Sequence, residues 1–159
     1  MRIRFTLLLL LLLSLAACGF QLRGDSKLPA WLSPLYLQPG QLNSSQIAMA
    51  KASLKKASVE LSEVADSSNR LSLQLSPLKS RKVAGSSLST VELLQLTMSL
   101  EYGVEDSKGR VRIEKSKITQ SMELELDSSN VLVHEQTIRE NSSTLEQRLI
   151  QSMLFQLSH

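Results

Sequence analysis

The sequence predicts an α+β fold: a single small domain with two helices packed on one face of a mainly antiparallel sheet of about four strands. Three observations predict it. Residues 71–75 and 94–104 alternate apolar with polar or small side chains at a period of two, the mark of half-buried strands. Residues 47–57 and 145–157 instead space their apolar side chains at three and four, as amphipathic helices do. The chain has 159 residues, enough for one domain, and no internal repeat or second compositional block.

The elements follow in order. Leu35-Tyr36-Leu37 is a short strand closed by Pro39-Gly40. Asn43-Ser44-Ser45-Gln46 has capping-box form and opens a helix whose stripe is Ile47, Ala50, Leu54 and Ala57, with Lys51, Lys55 and Lys56 off it on a solvated side. Leu71, Leu73 and Leu75 make the next strand, and Pro77 behind it demands an edge or a bulge. Residues 79–90, polar, small and basic, read as a loop. Leu94, Leu96, Met98, Leu100, Tyr102 and Val104 form one face of a long strand, and residues 105–109 turn it into a hairpin. On the return arm Ile113 and Ile118 have opposite parity, so a bulge is expected near Lys115 to Lys117. Ser143-Thr144-Leu145-Glu146 then reads as the start of a terminal helix burying Leu145, Leu149, Ile150, Met153, Leu154 and Leu157. The rest of the sheet's other face is left to solvent or a partner.

Charge excludes some functions. The formal net charge is +3, with 18 Lys+Arg against 15 Asp+Glu, but the first 17 residues hold two of those cations and no acid. The remainder, 16 against 15, is nearly neutral, which argues against a nucleic-acid binder. Basic residues gather in 51–82 and 108–117, acidic ones in 123–146. Basic segments sharing one end of the sheet could meet an anionic ligand or membrane headgroups; spacing alone favours scattered, solvated charge. One cysteine permits neither an internal disulfide nor a multi-thiolate metal site, and no cofactor motif is present. His134 beside Glu135 has no paired nucleophile, and Glu123 and Glu125 stand at i, i+2 on a strand face opposite the leucines, as solvated carboxylates do. No metal or catalytic residue is assigned, and the chain is not read as an enzyme.

The N-terminus carries the strongest functional signal. Arg2 and Arg4 precede an uncharged apolar run from Phe5 to Leu13, too short for the roughly 20 residues that a spanning helix needs. It reads as a signal peptide over residues 1–17. Leu15-Ala16-Ala17-Cys18 resembles the bacterial lipobox, in which the cysteine receives an S-diacylglycerol, becomes the first residue and is N-acylated. Cys18 is the chain's only cysteine. Two or three acyl chains make a durable anchor where one is marginal. By the same resemblance, Gly19 in place of an aspartate favours the outer membrane. Residues 18–34, with Gly24, Pro29 and Pro34, read as the lipidated N-terminus and a leash that carries Trp31, and residues 35–159 as the folded body.

Cys18-Gly19-Phe20-Gln21-Leu22-Arg23-Gly24 resembles the start of the lipopolysaccharide-assembly lipoproteins, LptE (RlpB), and the order of elements agrees with that family. The resemblance implies a non-enzymatic lipoprotein, lipid-anchored on the periplasmic side of the outer membrane. It would plug the LptD β-barrel in a 1:1 complex, help that barrel assemble and bind lipopolysaccharide on its way to the surface. It further implies that Arg81 or Lys82, in the loop between the second and third strands, meets lipopolysaccharide. The family's second basic contact lies before the last helix. Ser143 aligns there, and Arg139 is the nearest cation. The alternative class is a different outer-membrane lipoprotein, an adaptor or accessory of an envelope transport system.

Overall fold

The computed structural model describes residues 28–38, 40–84, 91–127 and 131–158. Residues 1–17, read as a signal peptide, and Cys18 lie outside them. The elements are β1 (Leu35–Gln38), α1 (Ser44–Lys56), β2 (Leu61–Ser62), β3 (Asn69–Leu75), β4 (Lys79–Ala84), β5 (Val91–Glu105), β6 (Val111–Asp127) and α2 (Val131–Leu157). Both helices cover one face of a six-stranded mixed sheet, so the α+β class holds with more strands than the four expected.

The two extra strands have little sequence signature. β2 is two residues long and lies parallel to β1, which itself lies parallel to β3. β4 takes the first part of the loop expected over residues 79–90, whose remainder, 85–90, lies outside the described residues. All six residues of β4 are exposed, so no buried face imposes alternation on them. β3 and β4 are two halves of one bent strand running antiparallel to β5. The register passes from Leu75 opposite Leu100 to Lys79 opposite Thr97, so three residues, Ser76 to Leu78, face two. This is the bulge that Pro77 requires. Ser76 holds it closed: its N–H donates to Ser99 O at 2.8 Å, and its Oγ accepts from Ser99 N–H at 2.9 Å. Gly40 fits another tight place, since a Cβ there would stand 2.8 Å from Leu73 O.

The sheet therefore tapers. At the hairpin end it is five strands wide, in the order β2-β1-β3-β5-β6; at the opposite, distal end only β4, β5 and β6 remain. β6 carries the expected irregularity, because Tyr102 faces Ser116 but Val104 faces Ile113. The extra residue returns Ile113 to the same face as Ile118.

The core lies between sheet and helices. Leu35, Leu37, Leu71, Leu73, Leu96, Met98, Leu100, Tyr102 and Val104 come from the strands, Ala50 and Leu54 from α1, and Leu145, Leu149, Ile150, Met153 and Leu157 from α2. The capping box is present as read: Gln46 N–H donates to Asn43 Oδ1 at 2.9 Å, and Asn43 N–H to Gln46 Oε1 at 3.0 Å. The same Gln46 side chain donates to Glu146 Oε1 at 2.7 Å and ties the helices together.

α2 begins twelve residues before the start expected at Ser143. The polar run that imitates a cap instead bonds back to the preceding turn. Asn141 Nδ2 donates to Thr137 O at 2.8 Å and Thr144 Oγ1 to Glu140 O at 3.2 Å. Ahead of β1, where a leash is expected, Ala30–Leu32 forms a 3-10 turn. Leu32 is fully buried and Trp31 stays 45% exposed, so the leucine is the docking residue.

Candidate functional site: the distal end and its cations

Four elements converge at the distal end: the end of β4, the start of β5, the end of β6 and the start of α2. Register fixes this, with Ala84 opposite Leu93 and Val91 opposite Asp127. Large aliphatic side chains there are open to solvent: Val83 at 45%, Val91 at 48%, Val133 at 56% and Leu132 at 80%. Lys79, Arg81 and Lys82 lie exposed on the adjoining edge strand.

The family resemblance places Arg81 and Lys82 in a loop; they are on β4. As neighbours on a strand they face opposite sides of the sheet. Arg81 is opposite Gln95 on the face away from the helices, and its Nη2 donates to Gln95 Oε1 at 3.2 Å. Glu123 stands across from Gln95 on the same face. Lys82 is opposite Leu94 on the helix side, with Nζ 2.6 Å from Glu92 Oε1. Arg139 does not precede the last helix but lies within it, 3.9 Å from Glu135 and largely exposed. The three cations thus occupy one half of the molecule without converging, each on its own partner. Exposed cations beside open aliphatic side chains suit an amphiphile with anionic headgroups, because guanidinium and ammonium groups bind phosphate through charge-assisted hydrogen bonds.

The carboxylates read as solvated, Glu123 and Glu125, are exposed, and His134 is half-buried in the first turns of α2. Among the described residues no cluster of His, Cys, Asp and Glu could hold a metal ion, and no helix is long and apolar enough to cross a membrane.

The most strongly organised ionisable group was not singled out by sequence. Asp106, 5% exposed, begins the β5–β6 turn. Its Oδ1 accepts from Lys108 N–H and Arg110 N–H, each at 2.9 Å, and its Oδ2 accepts from Arg110 Nε at 2.7 Å, with Arg112 Nε 3.7 Å away. The Arg110 backbone N–H leads in holding the carboxyl down, to about 2, with the Arg110 guanidinium and Lys108 N–H adding to it. Gly109, at φ +77°, supplies the left-handed residue that this turn needs. An aspartate ahead of a Lys-Gly-Arg turn was the available signal.

Solved structures that share the fold include three lipoproteins. A minor lipoprotein from Acinetobacter baumannii superposes with a TM-score of 0.65 at 18% identity, over 78% of this chain and 89% of that one. Lipoprotein B from Nitrosomonas europaea gives 0.68 at 16% identity, over 88% and 90%. Rare lipoprotein B from Shewanella oneidensis gives 0.61 at 17% identity, over 75% and 92%. No family model matches the chain, and no curated protein matches it significantly by sequence.

Proposed function

We propose that this chain is an outer-membrane lipoprotein of the LptE (RlpB) type, anchored by acyl groups on Cys18, plugging an LptD-like β-barrel and binding lipopolysaccharide during export. One coincidence carries the reading. A chain that has the fold of rare lipoprotein B also places Cys-Gly-Phe-Gln-Leu-Arg directly behind a lipobox. Two features support it. The sheet face away from the helices carries Gln95, Thr97, Ser99, Thr119 and Ser121 and fits the polar interior of an outer-membrane barrel. The distal end joins Lys79, Arg81 and Lys82 to exposed Val83, Val91 and Leu132, the mixture that an anionic glycolipid with acyl chains calls for. The role is non-enzymatic: the body fills a lumen and offers a binding end.

Purification from its host in mild detergent tests the reading. The expected result is a near 1:1 complex with a large β-barrel protein, and a mature N-terminus at Cys18 carrying acyl mass. Recovery with a different envelope transport assembly would favour the accessory role and overturn the barrel assignment. An unmodified, freely soluble chain would overturn the whole reading. Arg81→Glu with Lys82→Glu should weaken lipopolysaccharide binding while leaving fold and barrel association intact. Unchanged binding removes both residues from the site.

A further inference from the structure

The hairpin end also joins apolar and basic side chains, and it is the end where the N-terminal segment enters the fold. Asn69 N–H donates to Pro34 O at 3.0 Å, and Asn69 Nδ2 to Trp31 O at 2.7 Å, so residues 31–34 lie against the start of β3. Arg70 is opposite Glu105, which is opposite Val111, and Arg70 Nε donates to Ala65 O at 3.5 Å beside Val64. This row runs across the broad end of the sheet. Along it Trp31 is 45% exposed, Val64 58% and Val111 61%. The turn beside Val111 adds Lys108, Arg110 and Arg112; the two arginine side chains are 66% and 53% exposed although both approach Asp106.

We propose that this end is a membrane-facing surface, with Trp31, Val64 and Val111 at the headgroup boundary and Lys108, Arg110 and Arg112 on anionic phospholipid headgroups. It rests on the reading that Cys18 is acylated. Reach supports it: the ten steps from Cys18 to Leu28 span at most about 35 Å. The anchor therefore keeps this end within about that reach of the leaflet, whereas β5, fifteen residues long, separates the distal end from it by roughly 50 Å more of strand. Composition supports it as well. Tryptophan is enriched at membrane–water interfaces, and cations near an anionic leaflet act as a second attachment signal beside a lipid. Glu60, Glu63 and Asp66 lie on the β2 side of the same end, with Arg70 4.0 Å from Asp66. On the hairpin side Lys108, Arg110 and Arg112 stand against Glu105 and Asp106, so the net positive charge belongs to that side, and the molecule tilts it toward the lipid.

Trp31 is the chain's single tryptophan and serves as its own probe. The acylated full-length product is reconstituted in vesicles of brominated phosphatidylcholine, with or without brominated phosphatidylglycerol. Trp31 emission is expected to shift to the blue and be quenched more strongly as phosphatidylglycerol is added. Raising salt to about 1 M, where the screening length is about 3 Å, should reverse this. Lys108→Glu with Arg112→Glu leaves the Asp106–Arg110 clamp in place and should lower the apparent affinity for the anionic surface roughly fivefold or more per reversed charge. Equal quenching in both vesicle types, or an unchanged response in the variant, overturns the surface while acylated Cys18 leaves the lipoprotein reading standing. A mature chain without acyl mass removes that reading, and this surface with it.

Discussion

The two ends of the sheet bear similar side chains and are built in opposite ways. Each pairs exposed valines with a small group of cations. At the hairpin end a nearly buried carboxylate fixes the cations, with Asp106 gathering two backbone N–H groups and the Arg110 guanidinium. At the distal end nothing comparable exists among the described residues. Lys82 holds one partly exposed glutamate, Arg81 one glutamine, and Leu132 stands 80% open on the first turn of a helix. The broad end gathers its cations on one nearly buried carboxylate, while at the narrow end Arg81 and Lys82 each hold a separate, more exposed partner. Similar composition therefore does not imply similar organisation.

The contrast breaks first if the open aliphatics turn out to serve stability. Leu145→Ala, at a fully buried position of α2, should cost about 2–5 kcal/mol in denaturant unfolding. Leu132→Ala, on the same helix, should stay within about 0.5 kcal/mol. A large loss at Leu132 would mean that the distal end belongs to the core.

A smaller, local effect is expected at the turn. Asp106→Ala should speed amide exchange at Lys108 and Arg110 and leave Val91 and Glu92 unchanged. The carboxyl titrates near 2 in the fold against an ordinary 3.8. Its contribution is therefore complete above about pH 4 and lost as pH falls toward 2. Hairpin protection, taken relative to the intrinsic exchange rate at each pH, should fall through that window, and acid-insensitive protection would contradict the clamp.

The smallest effect belongs to Lys82→Ala. Its pairing with Glu92 lies near the surface and is worth about 0–1 kcal/mol. The melting temperature should barely move, and lipopolysaccharide binding should fall. The reverse pattern would make Lys82 a structural residue.

Legibility in the sequence followed burial. The Asn43–Gln46 capping box, the alternating leucines of β3 and β5, and the parity change between Ile113 and Ile118 all reflect a side chain that must face the core or an N–H that must be satisfied. β4 escaped notice because an edge strand exposed on both faces selects no period. The first three turns of α2 escaped because Leu132 and Val133 face solvent, and because Asn141 and Thr144 satisfy carbonyls of the preceding turn where a cap was expected. Of the cations proposed to meet lipopolysaccharide, the sequence supplied identity and the family resemblance the proposed role. Neither reveals that Arg81 and Lys82 point to opposite faces, since that depends on residues 79–84 being a strand.

The bulge between Ile113 and Ser116 makes β6 behave like a reading frame. Deleting either Glu114 or Lys115 would remove only the surplus residue, and Ile113 would still face Val104 and the core on a ladder without the bulge. Deleting a residue of the regular ladder, such as Thr119, would instead throw one side of it out of phase and turn Ile118 or Met122 outward. One codon's loss is absorbed at the bulge and disruptive a few residues further on.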